Sequence, residues 1–342
     1  MSTDAQKDRA PNIRDVAALA GVSYQTVSRV LNSSTQIRPA TKARVLAAID
    51  QTGFRPNQAA RALVTSKSRT IGVLSTHQSA AYGPHTMTNA MEITADQYGY
   101  RLSLVTTGPT SRSIANALDR LTHQAVEALI VVAPKARIFD EIERSELDIP
   151  IIALDSSRHG RGHNVAVDQF EGARMATRHL IELGHRSIIH VAGPQDWIEA
   201  EERMQGYLYE LGEHDIAVHP PILGELTADF GFHAGRELLR RRDFSAVFAA
   251  NDQIALGLLH AFRDAGVSVP NEISVVGFDD IPEAAHYFPP LTTVRQDFVD
   301  VGHRAMRFAL KALESGVLPE QELLQPTLVV RDSSAACPPH WR

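Results

Sequence analysis

From Thr70 onward, short, mainly apolar runs alternate with amphipathic stretches, and nothing else in the chain restricts its fold as tightly. The runs are IGVL (71–74), LSLVT (102–106), ALIVVA (128–133), PIIALD (150–155), SIIHVAG (187–193), AVFAAN (246–251) and ISVVGFDD (273–280). A strand with one wet face alternates apolar and polar residues. A strand apolar on both faces has to be covered on both, as happens in parallel sheets wrapped by helices. The segments 86–98, 169–183, 198–212 and 252–265 supply such helices. Residues 70–342 are too many for one ordinary core, so two α/β lobes are expected. Ligands in such folds gather beyond the carboxyl ends of the strands.

The first sixty-nine residues read differently. They carry eleven Lys/Arg against four Asp/Glu, a balance of +7, and leave 23 against 36, or −13, for the remainder. A small basic segment ahead of an acidic body points to a polyanion as the partner of the first part alone. Asn12 is placed to cap a helix, with Asp15 near its start and Ile13, Val16, Ala17 and Ala20 on its apolar face. Gly21 breaks the pattern, and Ser23 caps a second helix, Tyr24–Leu31, with Val27, Val30 and Leu31 inward. A third helix runs from about Pro39 to Gln51, with Val45, Leu46 and Ile49 inward and Gly53 as its stop. Two short helices around a tight turn, braced by a third, form a helix-turn-helix that lays its second helix in the major groove. Gln25 can offer its amide to adenine, Arg29 can fork onto guanine, and Tyr24 can touch a base edge or a thymine methyl. The bland alternative for Tyr24 and Gln25 is an exposed helix surface. Thr26, Ser28, Asn32, Thr41 and Asn57 are the candidates for phosphate contacts, which position without specifying.

Residues 13–32, IRDVAALAGVSYQTVSRVLN, resemble the headpiece of the lac repressor / galactose repressor family, and YQTVSRV is similar to the recognition helix of its founding member. LIELGHRSIIHVAG (180–193), ANDQ (250–253), VVGFDD (275–280) and PLTTVRQDF (290–298) extend the resemblance through the body to residue 333. The resemblance implies a dimeric repressor reading a near-palindromic operator, with a half-site like the lac operator's. It implies a tail (1–10), a headpiece (11–56), a hinge helix with linker (57–69) and an effector-binding, dimerising core (70–342). Within that core, lobe 1 takes about 70–167 and 297–325, and lobe 2 takes about 168–296 and 326–332. The core is like that of periplasmic binding proteins. Gln58–Leu63 is too short to be a stable helix alone. In the family this segment is the hinge helix, and Leu63 matches the leucine wedged into the minor groove; the alternative is an ordinary core leucine.

In the body, Asp155, Asn251-Asp252 and Asp279-Asp280 end strands, and Arg203 lies on the helix after 187–193. Carboxylates, an amide and a guanidinium facing an aromatic such as Phe230 are suited to grip vicinal hydroxyls. Each of these strand-end residues can instead be a helix cap, and Asp252 is read as one. The resemblance implies that Arg203, Asn251 and Asp279 hold the effector, that Phe230 stacks on it, and that Asp155 and Gln296 line the same pocket. Arg203 with Asp279 fits a galactoside-type effector. Glu199, Glu201, Glu202 and the loop 77–85 depart from the lac repressor pattern and leave the particular sugar open.

No zinc spacing, GxSxG, P-loop or GxGxxG follows a strand, so neither an enzyme nor a metal or cofactor is expected. His185 reads as a structural turn residue, and the single Cys337 excludes an intrachain disulfide framework. With no apolar signal core and no membrane span, a cytoplasmic location is expected. The end, ACPPHWR, lacks leucine heptads, so a dimer is expected. Two other readings stay open: a regulator with a purine-type effector or co-repressor, and a cytosolic sugar-binding protein.

Overall fold

A computed structural model describes residues 11–31, 37–54, 67–76, 82–132, 136–154, 163–317 and 320–341. The chain divides into two compact units, Met1–Ser68 and Arg69–Arg342.

In the first unit, α1 (Ile13–Ala20) starts with a capping box. The Asn12 side chain accepts the Arg14 N–H at 2.8 Å, and the Asp15 carboxylate accepts the Asn12 N–H at 2.7 Å, which satisfies donors that a helix start leaves open. Gly21 ends α1 at φ 63°, a left-handed conformation that costs glycine nothing. Ser23 Oγ accepts the Thr26 N–H at 3.2 Å at the head of α2 (Tyr24–Leu31). The third helix, α3 (Pro39–Thr52), begins at a proline and stops at Gly53. Val16, Ala17, Ala20, Val27, Val30, Val45 and Ala48 form the core, with Ile13, Leu31, Ile49 and Phe54 packed against it. Leu46 does not belong to it. It is 46% exposed, because α3 turns Val45, Ala48 and Ile49 inward and Leu46 lies one residue, about 100°, away from Val45.

In the second unit twelve strands make two six-stranded sheets among the described residues. The first has the order β11-β5-β4-β3-β1-β2, where β1 is Thr70–Thr76, β2 Arg101–Thr107, β3 Ala128–Val132, β4 Ile151–Ala153, β5 His163–Val167 and β11 Glu322–Leu324. The second has the order β12-β10-β9-β8-β6-β7, from Ile188–Ala192 (β6), Ile222–Leu223 (β7), Ala246–Ala249 (β8), Ser274–Asp279 (β9), Thr292–Arg295 (β10) and Thr327–Val329 (β12). All pairings are parallel except β10 with β12. This antiparallel edge departs from the all-parallel expectation.

Helices cover both faces of each sheet, as strands apolar on both faces demand. On the first sheet α4 (Tyr82–Gln97) and α11 (Phe298–Ser315) pack on one side. The other side receives α5 (Ser111–His123) and α6 (Ala136–Arg144). On the second sheet α7 (Gln169–Glu182) and α8 (Ile198–Glu213) take one face. The opposite face is covered by α9 (Ala228–Arg241) and α10 (Asp252–Asp264).

The chain passes between the sheets three times, after β5, β10 and β11. These crossings lie side by side: Val167 pairs with Leu324, Arg295 pairs with Thr327, and the Asp168 N–H donates to Leu324 O at 2.9 Å. His185 is fully buried and bridges Ser245 Oγ (2.8 Å) to Ser274 Oγ (3.0 Å) and Ala335 O (3.1 Å), fastening the C-terminal segment to the second sheet. Burial holds this ring neutral, with its pKa lowered to about 4. Cys337, in the same segment, is buried.

Candidate functional site

The first unit offers an outer face on α2. Tyr24 is 55% exposed, and Gln25 and Arg29 are exposed beside it, while Thr26 and Ser28 are half-buried. The same helix turns Val27 and Val30 into the core, so packing fixes which side of α2 stands outward. Thr26 Oγ1 lies 3.0 Å from Ser23 Oγ, and Thr41 is half-buried in the first turn of α3. Asn32, Asn57 and Leu63 fall outside the described residues. The face that remains is a helix bearing a phenol, an amide and a guanidinium, the donors and acceptors that base edges require.

The second unit contains a cavity of about 360 Å³ at the carboxyl ends of its strands. Thr76, Val132 and Leu154, at or just past the ends of strands of the first sheet, face it, together with Phe298. From the second sheet come Arg203, Asn251, Asp279 and Gln296, with Trp197 and Gln253. Four of the residues singled out from the sequence are thus brought together. Asp155 lies outside the described residues.

Phe230 is not among the side chains lining the cavity. Its helix starts at Ala228 rather than near Gly231, so Phe230 sits in the first turn. Its ring packs so closely on Gly224 that a Cβ there would come within 2.0 Å of it. The indole facing the cavity belongs to Trp197, the residue before α8. An isolated tryptophan in a loop gives no periodic signal, which is why the sequence did not single it out.

A buried polar network holds the second-sheet wall. Arg203 is 4% exposed, with its guanidinium carbon 4.0 Å from the centroid of the Phe278 ring. Its Nε donates to Gln169 Oε1 at 2.8 Å, its Nη1 donates to Ala250 O, and its Nη2 lies 3.6 Å from Asp279 Oδ1. Gln296 Nε2 donates to the same Oδ1 at 2.7 Å, and Gln169 Nε2 donates to Gln296 Oε1 at 2.6 Å. Burial pushes the Asp279 carboxyl up, and Arg203 and Gln296 oppose that shift. Asp279 itself stands at φ 108°, strained for a residue with a side chain. The next residue, Asp280, is held by Arg295 and Arg331 at 2.6 Å each.

Asn251, not Asp252, is the cap of α10. Its Oδ1 accepts the Ile254 N–H at 2.8 Å, while its Nδ2 donates to Leu226 O at 3.3 Å. Asp252 is fully buried, taking the Thr293 hydroxyl at 2.6 Å and the Ile281 N–H at 2.8 Å. Burial, then the charge of Asp279, raises its pKa well above the usual carboxylate value. A Cβ on Gly277 would lie 2.3 Å from Asp252 Oδ1, so a glycine is required there for the carboxylate to dock. The cap reading of Asp252 fails because the preceding asparagine has the extended backbone a cap needs, at φ −153°.

Within this cavity the polar groups are fixed by the protein before any ligand arrives. Among the described residues the Arg203 and Gln296 contacts to Asp279 both fall on Oδ1. Apolar surface from Trp197, Leu154 and Phe298 surrounds them. Such a pocket binds and orients a small polar molecule. No group of three or more metal-ligating side chains occurs among the described residues, nor does a helix long and apolar enough to cross a membrane.

Two family models match the chain. Residues 12–57 match bacterial regulatory proteins, lacI family, and residues 177–334 match a periplasmic binding protein-like domain. The HTH-type transcriptional regulator GalS of Salmonella typhimurium is 37% identical over 336 residues, spanning 96% of this chain and 97% of the relative. The HTH-type transcriptional repressor PurR of Actinobacillus pleuropneumoniae serotype 3 is 32% identical over 334 residues, spanning 94% and 97%. Among solved structures, the lac repressor dimer bound to operator and the anti-inducer ONPF matches with a TM-score of 0.89 at 31% identity, covering 96% of this chain and 100% of that one.

Proposed function

This chain belongs to the lacI family of bacterial regulatory proteins, and from that premise we infer that a sugar of galactoside type controls its grip on DNA. The protein is a DNA-binding transcriptional repressor, not an enzyme, and a small-molecule effector sets its operator affinity. It acts as a homodimer on double-stranded operator DNA, in the cytoplasm where that DNA is. The headpiece is residues 11–56, the hinge and linker 57–69, and the core 70–342. Tyr24, Gln25 and Arg29 read base edges of a half-site like the lac operator's, with Leu63 as the wedge.

The observation that carries the sugar assignment is the fixed Arg203–Asp279–Gln296 network on the cavity wall. A carboxylate and a guanidinium held on one buried network present an acceptor and donors to neighbouring hydroxyls, and the indole of Trp197 offers an apolar sugar face a surface. The effector binds between the two sheets and favours the closed arrangement. The hinge segments then separate, and the operator is released. A coupling of about 1–3 kcal/mol changes operator affinity roughly 5- to 150-fold.

The test is a titration of the protein onto operator DNA selected from a random pool, at one salt concentration, with galactosides, other sugars and purines as competitors. Release by galactosides alone is the expected outcome. Release by a purine, or tighter binding with one, overturns the sugar assignment and leaves the repressor in place.

A further inference from the structure

The first residue of the second unit, Arg69, is gripped in a way that the start of a strand does not need. Its backbone stands at φ 49°, a conformation that a residue with a side chain avoids unless its surroundings impose it. Its N–H donates to Glu127 Oε1 at 2.6 Å, a charge-assisted bond across 58 residues of sequence. Its carbonyl accepts the Arg101 N–H at 3.0 Å, and its guanidinium lies 5.7 Å from the centroid of the Tyr100 ring. Glu127 is held in turn. Its N–H donates to Thr70 O at 2.8 Å, and its Oε2 accepts the Tyr100 hydroxyl at 3.4 Å. Burial and the neighbouring Glu127 carboxylate both raise the pKa of that phenol, so it stays a donor.

We propose that Glu127, with Tyr100, is a positioning residue that fixes the direction in which the chain leaves the effector-binding core towards the DNA-binding segment. The proposal rests on the repressor reading. A movement of the first sheet that is passed along the chain runs through this joint, and a compliant joint absorbs the movement instead of passing it on. Clamping nitrogen, carbonyl and side chain of one residue removes that compliance at the first residue of the core unit. The clamp does not touch the cavity, so its loss leaves effector binding alone.

The experiment uses the full chain and the variants Glu127→Leu and Glu127→Gln, with two readouts. The first is tryptic cleavage after Arg69, followed by mass spectrometry without DNA. Glu127→Leu is expected to speed that cleavage about tenfold, while Glu127→Gln, which keeps an acceptor oxygen, recovers most of the protection. The second is affinity for the selected operator, expected to fall about tenfold in Glu127→Leu with the melting temperature of the core unchanged, and to return in Glu127→Gln. Unchanged cleavage overturns the clamp. Faster cleavage with unchanged operator affinity overturns the positioning role. A wild-type protein that selects no operator overturns the repressor reading itself and with it the positioning role, while cleavage still decides whether the clamp exists.

Discussion

The headpiece and the effector-binding core handle polar side chains in opposite ways. In the headpiece seven small or β-branched residues make the core, and Tyr24, Gln25 and Arg29 stand in solvent on a helix whose other side is buried. In the core domain the chemistry is inside: Arg203, Asp252, Gln169, Gln296 and His190 are all buried and interlocked with other groups. A double helix is larger than its reader and must be met on an exposed surface, whereas a small molecule has to be surrounded. Surface residues can therefore change without disturbing the headpiece, but no residue of the cavity network can change without unsettling its neighbours.

That contrast is open to attack, starting where the effect is greatest. Arg203→Leu leaves the half-buried Asp279 and the buried Gln169 without their cation, and we expect a loss of about 3 kcal/mol of core stability by denaturant unfolding. Effector response disappears with it. The half-site selected by the variant should nevertheless match that of the wild type; an altered half-site would show the two regions to be less separable than we argue.

Acid separates them next. His190 is buried, with its Nδ1 2.9 Å from Phe248 O and its ring stacked on Phe248, and burial lowers its pKa to about 4. The unfolded chain binds the proton near the ordinary histidine value, around 6.5, and the folded chain does so only near 4. The unfolded state thus holds more protons in that window, and stability falls as pH drops through it. The loss is about 3 kcal/mol for this ring, read as the change with pH in the stability difference between wild type and His190→Phe. Asp252 and Asp279 work in the other direction: folding favours their protonated forms, so their contribution grows as pH falls towards the ordinary carboxylate range. Residues 1–69 contain no histidine, so the headpiece should keep its helix signal through this window.

Within the headpiece, Val27→Ala removes two buried carbons and should cost about 2 kcal/mol, a large share of what so small a core supplies. Calorimetry should show the headpiece transition move and the core transition stay. Smallest in free energy is Arg29→Ala, about 1.5–2 kcal/mol of operator affinity with relaxed selectivity at one base pair and no change in stability. Equal weakening across all sequences would make Arg29 a phosphate contact.

How much of this was legible beforehand follows from the same contrast. The strands that lie mid-sheet, such as the wholly apolar Ala128–Val132 and Ile188–Ala192 with its one buried histidine, stood out, whereas Ile222–Leu223 and Thr327–Val329 are too short to register. The capping box at Asn12 and Asp15 is a local device and was readable as a helix start. Leu46 was misplaced because adjacent residues on a weakly patterned helix are hard to assign to faces. Gln169 passed unnoticed as an ordinary first residue of a helix. Its bonds reach Arg203, 34 residues on, and Gln296, 127 residues on, and only the folded chain brings these together. Trp197 was missed because a single loop residue carries no periodic signal.

The three crossings between the sheets have a mechanical consequence. Strands pinned at Val167–Leu324 and Arg295–Thr327, with Gln169 tied to Gln296, behave like knuckles threaded on one pin. Sliding and twisting would stretch at least one knuckle, so the cheap motion left to the core is a swing about that pin. A ligand anywhere in the cavity then has a single mechanical channel to drive, and molecules of quite different shape can produce the same output at the far end of the lever.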